Sequence, residues 1–323
     1  MRVLVTGGAG FIGSCYVRSL LQGAYPGFED ARVTVLDKLT YAGNLRNLDL
    51  DHPRLDFVRG DVCDGELLRG TVAGHDAVVH FAAESHVDRS IRGAAEFVRT
   101  NVLGTQVLLE VCAELGVEPV VLVSTDEVYG SIEEGDWTES SPLLPNSPYS
   151  ASKAAGDLFA RAHHRTFGLD VRVTRCANNY GPFQHVEKLV PLFVTNLLAG
   201  HPVPLYGNGT NVREWIHVSD HCRAIQLVLT EGSPGRVYNI GGHPQSNWDV
   251  TRRLLDLCGA HPDLVTYVED RPGHDVRYAL DDTLIREELG YREQVTFEQG
   301  LADVVQWYRD RPDWWKPLLS RPV

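Results

Sequence analysis

The opening turn constrains this chain more than any other stretch. The apolar run 3–6 breaks into Gly7-Gly8-Ala9-Gly10-Phe11-Ile12-Gly13 and then into a helical pattern. Glycines at this spacing permit a tight turn between strand and helix. They let the backbone approach a pyrophosphate and let the helix pack close to the strand. The helix N-terminus offers N–H groups and a positive dipole end to the phosphates. Gly7, Gly10, Phe11, Ile12 and Gly13 are therefore candidate dinucleotide contacts. The next apolar run, 33–37, delivers Asp37 at its end. An acidic residue there bonds both ribose hydroxyls and repels a 2′-phosphate, which favours NAD over NADP. Lys38 is a neighbouring cation that can partly offset Asp37.

Further valine-rich runs at 55–60, 77–83, 120–125 and 171–176 alternate with helical stretches. Continuous apolar strands between helices mean a parallel sheet covered on both faces. The sequence thus predicts an α/β fold, a doubly wound parallel Rossmann sheet with a smaller C-terminal α/β substrate lobe. Asp61-Val62 follows the third strand and is placed to face an adenine; Phe81-Ala82-Ala83 ends the fourth. After Asn178 the chain becomes turn-rich, with one more strand at 237–240 and a helix at 250–257. The expected division is residues 1–177, plus about 213–241, for the NAD-binding domain. Residues 178–212 and 242–323 then form the substrate lobe. With 323 residues the chain buries a sizeable core without staples. Its net charge of −13 argues against a nucleic-acid surface. No apolar run is long enough to span a membrane. The N-terminus reaches glycine too soon for a signal peptide, and the six cysteines form no CxxC, so a cytoplasmic location with reduced thiols is expected.

The chemistry concentrates at a strand end and a helix start. Ser124-Thr125-Asp126-Glu127 closes the fifth strand, where open α/β sheets place their ligands. Ser147 and Pro148 open a helix that ends before Gly168, and Tyr149 and Lys153 lie four apart on it, hence on one face. A nearby ammonium and a nicotinamide cation favour a tyrosine's phenolate, which can take a hydroxyl proton while hydride leaves the same carbon. Ser124 can hold the resulting carbonyl oxygen. A lone Tyr-x-x-x-Lys reads as a surface helix pair; the glycine turn, Ser124 and Pro148 outweigh that reading. Two adjacent carboxyls can divide acid and base work if one is protonated and the other ionised. The residues alone leave open which of Asp126 and Glu127 does which.

These residues resemble an extended short-chain dehydrogenase/reductase. The runs Phe81-Ala82-Ala83-Glu84-Ser85-His86-Val87-Asp88-Arg89-Ser90, Ser124 to Gly130, Asn178-Asn179-Tyr180-Gly181-Pro182 and Arg213-Glu214-Trp215-Ile216-His217 resemble the dTDP-glucose 4,6-dehydratase family. Related 4-epimerases share Tyr-x-x-x-Lys but lack the Asp-Glu pair. The resemblance implies NAD-dependent dehydration of dTDP-glucose, with Asp126 as acid, Glu127 as base and NAD regenerated within the cycle. It implies that Thr40, Thr100 and Asn179 belong to the cofactor set, and that Ser85 and Thr125 touch the hexose. Asn178 meets the diphosphate sugar. Lys188, Leu189, Pro204, Tyr206, Arg213, Asn247, Arg271 and His274 match nucleotide-binding positions. Arginine and lysine there offset a pyrophosphate's charge. The run 241–247 departs from the family pattern and leaves Asn247 the weakest match. The alternatives are a dehydratase for another nucleotide sugar, a nucleotide-sugar 4-epimerase on the same scaffold, or a non-catalytic NAD-binding regulator.

The family implies a homodimer through a helical bundle. The helix beginning near Thr100 and the Tyr149 helix are the candidate elements, with Leu108, Leu109, Leu158 and Phe159 as apolar surface. No metal is expected: His217 and His221 are four apart but no third ligand motif accompanies them. His163 and His164 read as surface residues, and Trp314-Trp315 as packing.

Overall fold

A computed structural model describes residues 1–270 and 274–319. Seven strands build the main sheet: β1 (Arg2–Thr6), β2 (Arg32–Asp37), β3 (Leu55–Arg59), β4 (Ala77–His80), β5 (Val120–Thr125), β6 (Val171–Cys176) and, after three strands placed elsewhere, β10 (Val237–Ile240). Those three are β7 (Asn178–Tyr180), β8 (Val203–Tyr206) and β9 (Val212–His217). The sheet order is β10-β6-β5-β4-β1-β2-β3, and every pairing is parallel. The chain leaves β1 toward β2 and β3, then returns to its other side at β4. That reversal opens a crevice above the carboxyl ends of β1 and β4.

Period-two alternation divides the core between the two faces. Val3, Val5, Val33, Val35, Val79 and Val121 face the helices Phe11–Leu21 and Val218–Glu231. Leu4, Leu36, Val78, Val120, Leu122 and Val171 face Gly65–Val72, Thr105–Leu115 and Pro148–Phe167. Each such buried side chain contributes about 1.5–3 kcal/mol of transfer free energy.

The remaining strands make two small sheets. β9 pairs in parallel with β7 and antiparallel with β11 (His243–Ser246); β12 (Val265–Val268) pairs in parallel with β8. They pack with Phe193, Leu254, Phe297 and Leu301 in a second core that also buries Trp314 and Trp315. Trp314 Nε1 donates to Asn47 Oδ1 at 3.0 Å, tying the C-terminal segment to the loop after β2.

Local differences from expectation have local causes. β4 stops at His80, three residues early, because Phe81, Ala82 and Ala83 line the crevice. His163 is buried, its ring nitrogen bonded to the Phe159 carbonyl at 2.9 Å. The helical stretch expected near Thr100 begins at Ala95, and Val98–Gly104 is wound as a π-helix. Leu108 and Leu109 lie in the core rather than on the surface, because helical phase turns them toward β4 and β5. Leu158 and Phe159 are exposed.

Candidate active site

The glycine turn admits no side chain. Gly7 has φ +70°, and a Cβ on it would stand 2.5 Å from the Ala82 nitrogen; one on Gly13 would stand 2.5 Å from the Gly7 carbonyl oxygen. No side chain caps the helix Phe11–Leu21, and Gly10, Phe11, Ile12 and Gly13 line the cleft beneath it. Asp37 accepts from Ala9 N at 3.0 Å and Leu39 N at 2.7 Å, so one carboxylate pins both sides of the turn. Burial raises its pKa and the two N–H donors oppose that rise. Lys38 turns away to Asp61, 3.0 Å distant, where Arg99 also approaches. Its charge is committed there and leaves Asp37 to the ribose position. A bare backbone cradle with a fixed acidic residue suits a dinucleotide without a 2′-phosphate.

The same cleft is lined by Thr40, Asp61, Val62, Phe81, Ala82, Ala83, Thr100 and Asn179. It continues to Ser124, Thr125, Asp126, Glu127, Tyr149 and Lys153. Thr125 ends β5 and caps a single turn, Asp126–Tyr129. Its hydroxyl accepts from Glu127 N at 3.3 Å and donates to Asp126 Oδ1 at 3.1 Å. Asp126 is 2 % exposed, and its Oδ2 has no hydrogen bond. Burial, then the charge of Glu127, pushes its carboxyl up to about 7. Asp126 thus holds its proton to a higher pH than an ordinary aspartate does. Ser124 Oγ is also buried without a hydrogen bond.

Tyr149 and Lys153 are placed by the helix start. Ser147 accepts from Ser150 N at 3.1 Å while Ser150 Oγ accepts from Ser147 N at 3.0 Å; Pro148 follows the cap, and Gly168 closes the far end in the left-handed region. Lys153 Nζ donates to the Val123 carbonyl at 2.7 Å, joining the helix to β5. In the protein alone, the Tyr149 pKa lies well above its ordinary value. Burial and then the charge of Glu127 cause this, with Thr125 pulling in the opposite direction.

Ser85, Asn178, Lys188 and Leu189 line this cleft too, and Lys188 Nζ donates to the Ser85 carbonyl at 2.9 Å. Asn179 Oδ1 meets His221 Nδ1 at 2.9 Å. Pro204, Tyr206, Arg213, Asn247 and His274 lie beyond its lining, around the small sheets. The Tyr206 and His274 rings meet edge to face at 6.1 Å. Arg213 donates to the carbonyls of Val212 and Asp275, each at 2.7 Å, and its guanidinium covers Tyr278 at 4.3 Å. Asn247 is buried, its N–H bonded to the Asn211 carbonyl at 3.0 Å. Arg271 lies outside the described residues. His217 caps a helix through Ser219, and among the described residues no group of three His, Cys, Asp or Glu could hold a metal ion.

Several residues at or beside the cleft carry no mark in the sequence: Gln184, His185 and Glu187 line it, and Glu214 and Trp215 lie in a run quoted above for its resemblance. Trp215 lines the cleft with its indole N–H buried and without a hydrogen bond. Glu214 accepts from Leu280 N at 3.2 Å, and burial, then the charge of Asp126, pushes its carboxyl up to about 8. The signal was the register: Trp215 pairs with Asn178 across β7 and β9, which only the fold reveals.

Comparison with known proteins agrees with this geometry. The profile of a family described as GDP-mannose 4,6 dehydratase matches residues 4–304. The dTDP-glucose 4,6-dehydratase of Streptomyces niveus is 60% identical over 325 residues, covering 99% of this chain and 96% of the relative. Among solved structures, DesIV, a dTDP-glucose 4,6-dehydratase from Streptomyces venezuelae with NAD and TYD bound, superposes with a TM-score of 0.96. It is 62% identical, over 98% of this chain and 100% of that one. The UDP-glucose 4-epimerase of Thermotoga maritima, 31% identical, has a TM-score of 0.89 over 96% of this chain and 99% of that one.

Proposed function

The chain belongs to the dTDP-glucose 4,6-dehydratases of the GDP-mannose 4,6 dehydratase family, and from that premise we infer that it converts dTDP-glucose to dTDP-4-keto-6-deoxyglucose and water. It is a hydro-lyase that uses NAD. The observation that carries the mechanism is the Asp126–Glu127 pair at the end of β5, Asp126 buried and Glu127 half-buried, lining one cleft with Tyr149. NAD, held by the glycine turn Gly7–Gly13 and Asp37, would supply the hydride chemistry, oxidation at C4 and reduction at C6, and its oxidised form would bring a positive charge that favours the Tyr149 phenolate.

The protein's groups handle the protons. Tyr149 takes the C4 hydroxyl proton, and Ser124 and Thr125 hold the C4 oxygen as it becomes a carbonyl. The ketone makes the C5 hydrogen acidic. Glu127, whose negative charge is felt by both Asp126 and Tyr149, removes it. Asp126, whose carboxyl is pushed up to about 7, gives its proton to the departing C6 hydroxyl, which leaves as water. Glu127 then returns its proton to C5. Lys153 anchors the helix to β5. Ser85 and Asn178 hold the sugar and diphosphate, while Lys188, Leu189, Pro204, Tyr206, Arg213, Asn247, Arg271 and His274 hold the nucleotide. On this reading residues 1–177 and about 213–241 serve the cofactor, and 178–212 with 242–323 serve the nucleotide sugar. We further assign a homodimer and a cytoplasmic location. The supports are exposed Val98, Leu103, Leu158, Phe159 and Phe167 on the helical elements after β4 and after residue 147, and six free cysteines.

The test mixes purified protein with dTDP-glucose, without added NAD, and follows the alkali-induced absorbance of a 4-keto-6-deoxy sugar. Signal is expected with dTDP-glucose and far less with UDP-glucose. A folded, NAD-supplied protein that gives none, or that returns the C4 epimer, overturns the assignment.

A further inference from the structure

Three loops rise around the cofactor cleft and meet in one charged cluster. Tyr41 follows β2, in a loop whose Thr40, Ala42 and Gly43 line the cleft. Arg89 sits on the helix Val87–Arg92 after β4. Glu187 lies between β7 and the helix Leu189–Leu198, and it lines the cleft itself. The Arg89 guanidinium covers the Tyr41 ring at 3.6 Å from its centroid. Arg89 Nη2 stands 3.7 Å from Glu187 Oε2, and His86 Nε2 is 3.6 Å from the same oxygen. His185 Nδ1 is 3.9 Å from Glu187 Oε1, and its ring meets Tyr41 edge to face at 5.6 Å. Lys188 joins the loop after β4 through the Ser85 carbonyl.

The cluster has slack. Arg89 Nε and Arg89 Nη2 are buried and make no hydrogen bond, while the Tyr41 hydroxyl already faces the Glu187 carboxyl closely enough to draw its pKa down against the rise that burial causes. Opposite charges face one another at distances that give an ion pair but lie beyond hydrogen-bond range, and about 1 Å of loop movement closes the gap. Buried polar atoms left short of partners favour that movement.

We propose that Tyr41, Arg89 and Glu187 form a clasp that closes over the dinucleotide and keeps it bound through turnover. The proposal rests on the cofactor reading above and adds the device that retains the cofactor. An enzyme that reduces and reoxidises one dinucleotide per cycle gains nothing from exchanging it. A joint between three loops on different sides of the cleft slows exchange, because the cofactor leaves only when all of its contacts part together.

The experiment measures release. Purified wild type, Glu187→Gln and Tyr41→Phe are loaded with NAD and dialysed, and the NAD remaining is read by chromatography of the denatured protein at successive times. Wild type is expected to keep its NAD, and each variant to lose it about tenfold faster, as a partly buried charge contact of this kind warrants. Arg89→Lys is the substitute should Glu187→Gln fail to fold. Folded variants that release NAD at the wild-type rate overturn the clasp, even if they melt at a lower temperature. Wild type that neither carries NAD nor takes it up overturns the cofactor reading, and the clasp falls with it.

Discussion

Asp126 lies close enough to Glu127 and Glu214 that the three carboxyls must divide the available protons. Burial comes first and the charge of Glu127 second in pushing Asp126 up to about 7, and Glu214 is pushed up to about 8. An acid of that kind works while protonated, so dehydration falls as pH rises through about 7. Asparagine at 126 can accept and donate hydrogen bonds but cannot give up a proton. Asp126→Asn is expected to lower the dehydration kcat by about 10²–10⁴ and to erase the alkaline limb, while NADH absorbance still appears from C4 oxidation. An unchanged limb in the variant assigns the titration to another group, such as Glu214, whose carboxyl is pushed up to about 8. The sign for stability runs the other way. A carboxyl whose folded pKa lies above its unfolded one holds its proton more tightly when folded. Stability therefore drains away as pH rises from about 4 to about 7. Asp126→Asn should consequently melt above wild type at pH 8 and lose that advantage at acid pH.

At the scale of elements, what positions the chemistry is how strands end and how one helix begins. Ser147 and Ser150 cap each other, and Tyr149 sits within that first turn. Ser147→Ala removes one half of the box and should cost about 1 kcal/mol, a melting shift of a few degrees at most. Because the first turn frays before the rest of the helix, the expected kinetic mark is a lower kcat with little change in KM. Equal loss in both parameters speaks for general unfolding. This start was legible in the sequence because Ser-Pro before a 3.6-residue apolar pattern is a local signal, as were the glycine turn and Asp37. Local signals end where tertiary contact takes over. Nothing in 77–83 says that the strand stops at His80; the glycine turn, packed against Ala82, decides it. The sequence alone does not bury Leu108 and Leu109, because apolar residues on a helix do not announce which side the sheet occupies. The upward shift of Tyr149 escaped for a similar reason, since burial beside Glu127 is a property of the assembled cleft.

At the scale of the whole molecule, two helical elements among the described residues carry large apolar side chains without a covering element. Val98 is 54% exposed, Leu103 45%, Leu158 55% and Phe167 67%. They belong to Val98–Gly104 and Pro148–Phe167, neighbouring elements that also carry Thr100 and Tyr149 of the cleft. Side chains of this size left in water over two adjoining elements mark an interaction surface, and a second copy of the chain is the occupant that the family resemblance supplies. Pairing there would stiffen the segments that hold Thr100 and Tyr149, so assembly and catalysis should fail together. Leu158→Glu places a charge at the middle of the proposed contact, well away from the reacting groups. Sedimentation at micromolar concentration should show a dimer for wild type and a monomer for the variant, with the variant folded and less active. A wild-type monomer dismisses the dimer. A dimeric variant moves the interface to another face of the molecule, and a fully active monomer shows that the helices hold Tyr149 without help from a partner.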